Sequence, residues 1–189
     1  MPLVFCSAPR PVRAISSSAA ACRRLLRPTL RLGSDFHHVF RESPHNAKLG
    51  DTVNPLRIRE SALLELRHRV TQSPQQEICG LLSGENETIT RVLPCTNSAA
   101  DPKTSYEIAP QELFARMREI RESGETLLAI YHSHPNGRST PSARDVAEAN
   151  YPDAAHIIVT LNDHGEATLR AFCIRNQTTA EIPIAPVSG

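Results

Sequence analysis

Ordered-looking sequence starts near Val53, where Leu56 and Ile58 lead into Leu63, Leu66 and Val70 at helical spacing. The residue before a proline is pushed out of the helical region, so this helix should end before Pro74. From Glu77 the rhythm shortens to "EICGLLSG" and "TITRVLPC", rich in β-branched residues and split by a polar turn around Glu85 and Asn86. That pattern predicts a hairpin. A helix should open at Pro110 and close at Gly124, with Leu113, Phe114, Met117 and Ile120 on one stripe packed into the core. "TLLAIYH" is apolar throughout and of strand length, which predicts an interior strand buried on both faces that carries His132 to its end. "AHIIVTL" and "ATLRAFCI" should be further strands around a turn at Asn162 to Gly165, followed by a short "AEIPIA" edge. Strands interleaved with two or three helices make an α/β or α+β domain with a mixed sheet.

The first fifty or so residues break from this texture. Arg10, Arg13, Arg23, Arg24, Arg27 and Arg31 are scattered among Ser, Ala and Pro, and the first acid is Asp35. Residues 1–54 therefore read as a segment outside the core: a disordered or mis-assigned N-terminal extension, or an organelle transit peptide. Residues 55–189 read as one catalytic domain, because 189 residues with 40% apolar content support one core but not two with a linker.

A formal net charge of +1 sets up no global field for nucleic acid or an anionic membrane. Five cysteines, an odd number without a C-x-x-C pair, are unlike a secreted disulfide framework or a thiolate zinc knuckle, and a reducing cytoplasm is the expected location. Cys79, Cys95 and Cys173 should be small core residues, with Cys79 also a candidate neighbour of a metal. Tyr131 should pack, and His156 and His164 should be structural or exposed. No apolar run reaches bilayer length.

The chemistry concentrates in "HSHPNGRSTPSARD", residues 132–145. Side chains two apart on a strand share a face, so His132 and His134 can present two imidazoles to one point. Pro135 ends the strand, Asn136 and Gly137 turn the chain, and Ser142 then sits at a helix N-cap position. Asp145, three residues on, can return to the histidines as a third ligand. Two imidazole nitrogens and one carboxylate leave a tetrahedral zinc one open position, the arrangement of a catalytic site. Ser142 and Asp145 also fit a plain capping box, and either histidine alone fits a strand-end structural role. Chance assembly of two His, two Pro, one Ser and one Asp at these offsets is on the order of 10⁻⁸ per starting position.

H-S-H-P followed by P-S-x-x-D resembles the JAMM motif of MPN-plus zinc metallopeptidases, and "EICGLLSG" resembles the strand supplying their glutamate. The resemblance spans about Leu56 to about Pro186 and no motif position is missing. It implies a single JAMM/MPN domain with a mixed twisted sheet flanked by helices, of cytidine-deaminase-like architecture. It implies a single zinc ion per chain on His132, His134 and Asp145, with Glu77 as acid/base and Ser142 stabilising the oxyanion. Glu60 and Glu107, the other carboxylates weighed for the base, lack that family context. "YHSHP" and "YPDAAHIIV" are most similar to the small bacterial type. That likeness implies hydrolysis of a peptide or isopeptide bond after the C-terminal Gly-Gly of a ubiquitin-like sulphur-carrier protein, as in release of cysteine from a carrier-cysteine conjugate. Two other readings share the motif. A RadC-like genome-associated module typically has Asn where this chain has Ser133, and a phage tail-assembly peptidase usually carries a further hydrolase domain.

Overall fold

The computed structural model describes residues 54–188. The expected N-terminal extension therefore lies outside the described residues, apart from Asn54. Strand β1 (Leu56–Arg59) leads directly into α1 (Glu60–Gln72), which buries Ala62, Leu63, Leu66 and Val70 and ends ahead of Pro74. Strands β2 (Cys79–Glu85) and β3 (Thr88–Cys95) form the expected antiparallel hairpin. Its tight turn puts Asn86 at φ 48° and Glu87 at φ 63°, a left-handed pair of the kind that matches strand twist. The ladder begins at Cys79 rather than at Glu77, because the Glu77 N–H donates to the Pro102 carbonyl (2.7 Å) and the Ile78 N–H to Ser133 Oγ (2.9 Å).

Helix α2 (Pro110–Glu122) has proline at its start and glycine just past its end, Gly124 at φ 75°. Its apolar stripe is narrower than the spacing suggests. Ile120 is buried and Leu113 and Met117 pack against the same cluster, but Phe114 is 64% exposed and does not join the core. At about 100° per residue Phe114 lies roughly 120° round the helix from Ile120, outside the stripe that faces the sheet.

Strand β4 (Thr126–Ser133) is buried from Leu127 onward, as expected for an interior strand. A short α3 (Ala143–Ala147) follows the motif loop, and β5 (Ala155–Leu161) and β6 (Ala167–Arg175) complete the central strands. The single edge expected at "AEIPIA" is two strands. β7 (Thr178–Ile182) pairs antiparallel with β6, whereas β8 (Ile184–Val187) pairs parallel with β1. The eight-stranded order is β7-β6-β5-β4-β2-β3-β1-β8, so these two strands occupy opposite ends of the order although only Pro183 separates them. One residue spans at most about 3.5 Å, so the two ends of the sheet must meet and the sheet curls nearly closed. Pro183 marks the junction, its carbonyl accepting from the Leu56 N–H at 2.8 Å.

The inner face holds α1. Leu63, Leu66 and Val70 pack there with Leu56, Ile58, Leu82, Ile89 and Ile157. The opposite face carries Leu81, Leu93, Leu127 and Ile130 under Ile120 of α2. Gly80 fits between the layers for a steric reason: a Cβ there would sit 2.5 Å from the Leu93 carbonyl oxygen and 2.8 Å from the Tyr131 hydroxyl. No helix among the described residues is long and apolar enough to cross a membrane.

Candidate metal centre

Register explains which side chains meet. Cys79 pairs with His132 across β2 and β4, and His132 pairs with Ile158 across β4 and β5. Partners in register share a face, so His132 projects from the outer face, the one carrying α2. The Ser133 N–H donates to the Ile78 carbonyl at 2.9 Å, which extends the antiparallel register past β2. Carried one rung further, the same register sets Glu77 opposite His134. Glu77, Cys79, His132 and His134 thereby share one face at the mouth of the sheet. Ser133, between the histidines, points the other way and braces the Glu77 segment through the Ile78 N–H.

Asp145 comes to this point from α3. The Ser142 hydroxyl accepts from the Asp145 N–H (3.1 Å), and the Ser142 N–H donates to Asp145 Oδ2 (2.6 Å), a complete capping box. The same Oδ2 lies 3.4 Å from His132 Nε2 and 3.3 Å from His134 Nε2, and the two Nε2 atoms are 3.0 Å apart. The capping box is formed, and the carboxylate that completes it also faces both imidazoles. His132, His134 and Asp145 form a group able to hold a metal ion. A tetrahedral zinc with bonds of about 2.0–2.1 Å sets its ligand atoms about 3.3–3.4 Å apart. The two carboxylate-to-imidazole spacings match that, and the 3.0 Å between the imidazoles is a little shorter.

Electrostatics agree with this geometry. The His134 Nδ1 is 2.6 Å from the Arg138 carbonyl oxygen. A carbonyl only accepts, so Nδ1 carries the proton and Nε2 turns its lone pair toward the group. Burial opposes a proton on His134, but the Asp145 carboxylate and the Arg138 carbonyl raise its pKa on balance. Burial lowers that of His132, which Asp145 only partly offsets. Burial also pulls Asp145 upward, yet the two imidazoles outweigh it and hold the carboxyl well below the usual range. Glu77 is 5% exposed, and burial pushes its carboxyl up to about 7, with His134 opposing and Asp145 adding to the rise. A carboxyl poised near neutrality can both take and return a proton. Glu60 and Glu107, the other carboxylates considered from the sequence, are exposed.

One residue packed against the site escaped the sequence reading. The Tyr106 ring stacks on His132, centroids 4.5 Å apart and planes 20° from parallel. His156, expected to be structural or exposed, is buried at 3% exposure on the same sheet face as His132. Cys79 is buried beside His132, but its thiol is turned to the Cys95 carbonyl oxygen at 3.8 Å and lies outside the convergent group. Tyr131 packs in the inner core, as expected.

The model for prokaryotic homologs of the JAB domain matches residues 59–174, well over half of the chain. The chain belongs to that family. The "CysO-cysteine peptidase" of Mycobacterium tuberculosis is 30% identical over 135 residues, covering 70% of this chain and 92% of that one. The "Desampylase" of Haloferax volcanii is 34% identical over 102 residues, 53% of this chain and 73% of the relative. A solution structure of a Desulfitobacterium hafniense protein superposes with a TM-score of 0.62 at 25% identity, covering 70% of this chain and 92% of that one. The described residues of this JAB chain accordingly form a JAMM/MPN-type α+β domain, and the chain is a hydrolase.

Proposed function

We propose that this JAB-domain hydrolase is a zinc-dependent peptidase that cuts the peptide or isopeptide bond after the C-terminal Gly-Gly of a ubiquitin-like sulphur-carrier protein. The observation that carries the reading is the meeting of two imidazole nitrogens and one carboxylate oxygen near the buried carboxyl of Glu77. His132, His134 and Asp145 are the ligands in this reading. Zinc held there supplies a Lewis acid and lowers the pKa of water toward about 7.

Glu77 does the proton work. Its carboxylate accepts a proton from the attacking water, and the resulting acid delivers that proton to the departing amine. Arg138 and Ser142 act on the ligands: the Arg138 carbonyl holds the His134 ring in its Nδ1–H tautomer, and the Ser142 hydroxyl holds Asp145 by its backbone. The Ser142 hydroxyl accepts from the Asp145 N–H, so its own proton stays available to donate to the oxyanion. The names of the mycobacterial and haloarchaeal relatives support a conjugate of a small carrier protein as the substrate.

Purified protein incubated with carrier-cysteine and carrier-lysine conjugates, with and without a chelator, tests the reading. Release of free carrier with an intact Gly-Gly end, abolished by chelation and restored by zinc, is expected. Intact conjugates in every case would overturn it.

A further inference from the structure

Glu77 stands ahead of the first ladder residue, Cys79, so its backbone polar groups need partners from outside the sheet. Both come from the segment between β3 and α2. The Glu77 N–H donates to the Pro102 carbonyl at 2.7 Å, and the Glu77 carbonyl accepts from Asn97 Nδ2 at 2.9 Å. Ile78, the next residue, is held instead from β4, its N–H on Ser133 Oγ and its carbonyl on the Ser133 N–H. Glu77 is thus held between the strand that carries the histidines and a loop that Asn97 organises.

The Asn97 carboxamide is fully used. Nδ2 also donates to the Ser105 carbonyl at 3.0 Å, and Oδ1 accepts from the Ala99 N–H at 3.0 Å and the Glu107 N–H at 3.1 Å. A carboxamide offers two N–H donors and two oxygen lone pairs, so these bonds fill its capacity. Carbonyls face the nitrogen and N–H groups face the oxygen, so turning the amide over would break every one of them. An isolated antiparallel bridge from Asn97 to Ile108 closes the same loop. Ser105 immediately precedes Tyr106, whose ring stacks on His132. One amide NH2 group therefore ties the Glu77 backbone to the backbone beside the ring that packs on a ligand histidine.

We propose that Asn97 is a positioning residue for the hydrolysis: its Nδ2 sets the Glu77 backbone, and through it the carboxyl, relative to His132, His134 and Asp145. The effect on catalysis rests on the reading of Glu77 as acid/base, whereas the hold on the Glu77 segment stands apart from it. Aspartate at this place keeps the oxygen that serves Ala99 and Glu107 but turns an acceptor toward the Glu77 and Ser105 carbonyls. Alanine leaves all four partners without the group. A misplacement of about 1 Å in a reacting group can cost about 10²-fold in rate, so a residue that never touches substrate can govern kcat.

Amide hydrogen exchange, followed by NMR on the zinc-loaded full-length protein, reads the positioning without any substrate. In Asn97→Ala the Glu77 amide, whose own acceptor is the Pro102 carbonyl, should exchange about tenfold faster than in wild type. Asn97→Asp retains the Oδ1 bonds that close the loop, keeps the comparison available if alanine does not fold, and should speed that amide likewise. Ser98→Ala removes a hydroxyl bond to the Glu107 carbonyl (3.0 Å) from the same loop without touching Glu77, and should leave the amide as protected as in wild type. In cleavage of a carrier conjugate, both Asn97 variants should keep about one zinc per chain and KM within about twofold, while kcat falls about 10–100-fold. Added to Glu77→Gln, either substitution should lower kcat by no more than about twofold further, because the group it positions is already gone.

Wild-type protection of the Glu77 amide in both Asn97 variants would overturn the proposal whether or not any conjugate is cut, and so would equal loss of protection in Ser98→Ala. Wild-type kcat in the Asn97 variants, or the same fold-loss with and without Glu77→Gln, would overturn the catalytic part. Faster exchange in both variants with no conjugate cleaved by wild type would leave Asn97 holding the Glu77 segment and remove the Gly-Gly reading instead.

Discussion

Ser142 and Asp145 exchange two backbone-to-side-chain hydrogen bonds, and the Asp145 oxygen that accepts one of them, Oδ2, also faces both histidine Nε2 atoms. The capping box thus fixes the carboxylate: the start of α3 sets it against the strand-borne imidazoles. A helix of five residues has little stability of its own, so this cap and its neighbours hold it.

Ser142→Ala should therefore lower stability by about 1 kcal/mol, the usual worth of an N-cap hydroxyl. If the hydroxyl also meets the oxyanion, kcat at saturating zinc should fall by about 10²–10³-fold. Denaturant unfolding together with turnover in excess zinc separates the two effects. Wild-type kcat in the alanine variant would restrict Ser142 to capping.

Glu77→Gln keeps the size and removes the proton-carrying group. Zinc content should stay at the wild-type level while kcat falls by roughly 10²-fold or more. Metal analysis beside steady-state kinetics reads both quantities, and undiminished turnover would take Glu77 out of the mechanism.

The buried Glu77 carboxyl also gives the metal-free protein a pH signature. Its folded pKa of about 7 lies above the ordinary 4.5, so the unfolded chain loses this proton first as pH rises. The stabilising contribution of the neutral form is complete below about pH 4.5 and is lost between there and about pH 7. Chelated wild type should lose about 3 kcal/mol relative to Glu77→Gln across that window. Parallel stability profiles for the two proteins would contradict the burial argument.

Two residues of the α2 stripe should respond oppositely to truncation. Ile120 is fully buried, so Ile120→Ala should cost about 2–5 kcal/mol. Phe114 is 64% exposed, and Phe114→Ser should change stability by no more than about 0.5 kcal/mol. Thermal or urea unfolding of the two variants decides this, and a large loss at Phe114 would restore the wider stripe.

The site was legible wherever local geometry alone fixes it. Alternation along β4 aligns His132 with His134, and the N-cap spacing returns Asp145, so both follow from offsets of two and three residues. Tyr106 against His132 and the burial of His156 were not legible, because tertiary packing and strand register decide them. His156 stands beside Ile130 only because β4 and β5 run parallel in one particular register. Helical spacing likewise put Phe114 on the same stripe as Ile120, but spacing alone does not say how wide a face the sheet covers. The split of "AEIPIA" into two strands depends on the sheet curling back on itself, which no local pattern encodes.

Zinc stoichiometry of wild type and Asp145→Ala, measured side by side on purified protein, tests the central claim most directly. About one zinc per wild-type chain, with loss of tight binding in the variant, is the predicted result. Equal, tightly held zinc in both proteins, or none in the wild type after incubation with the metal, would contradict a centre built on His132, His134 and Asp145.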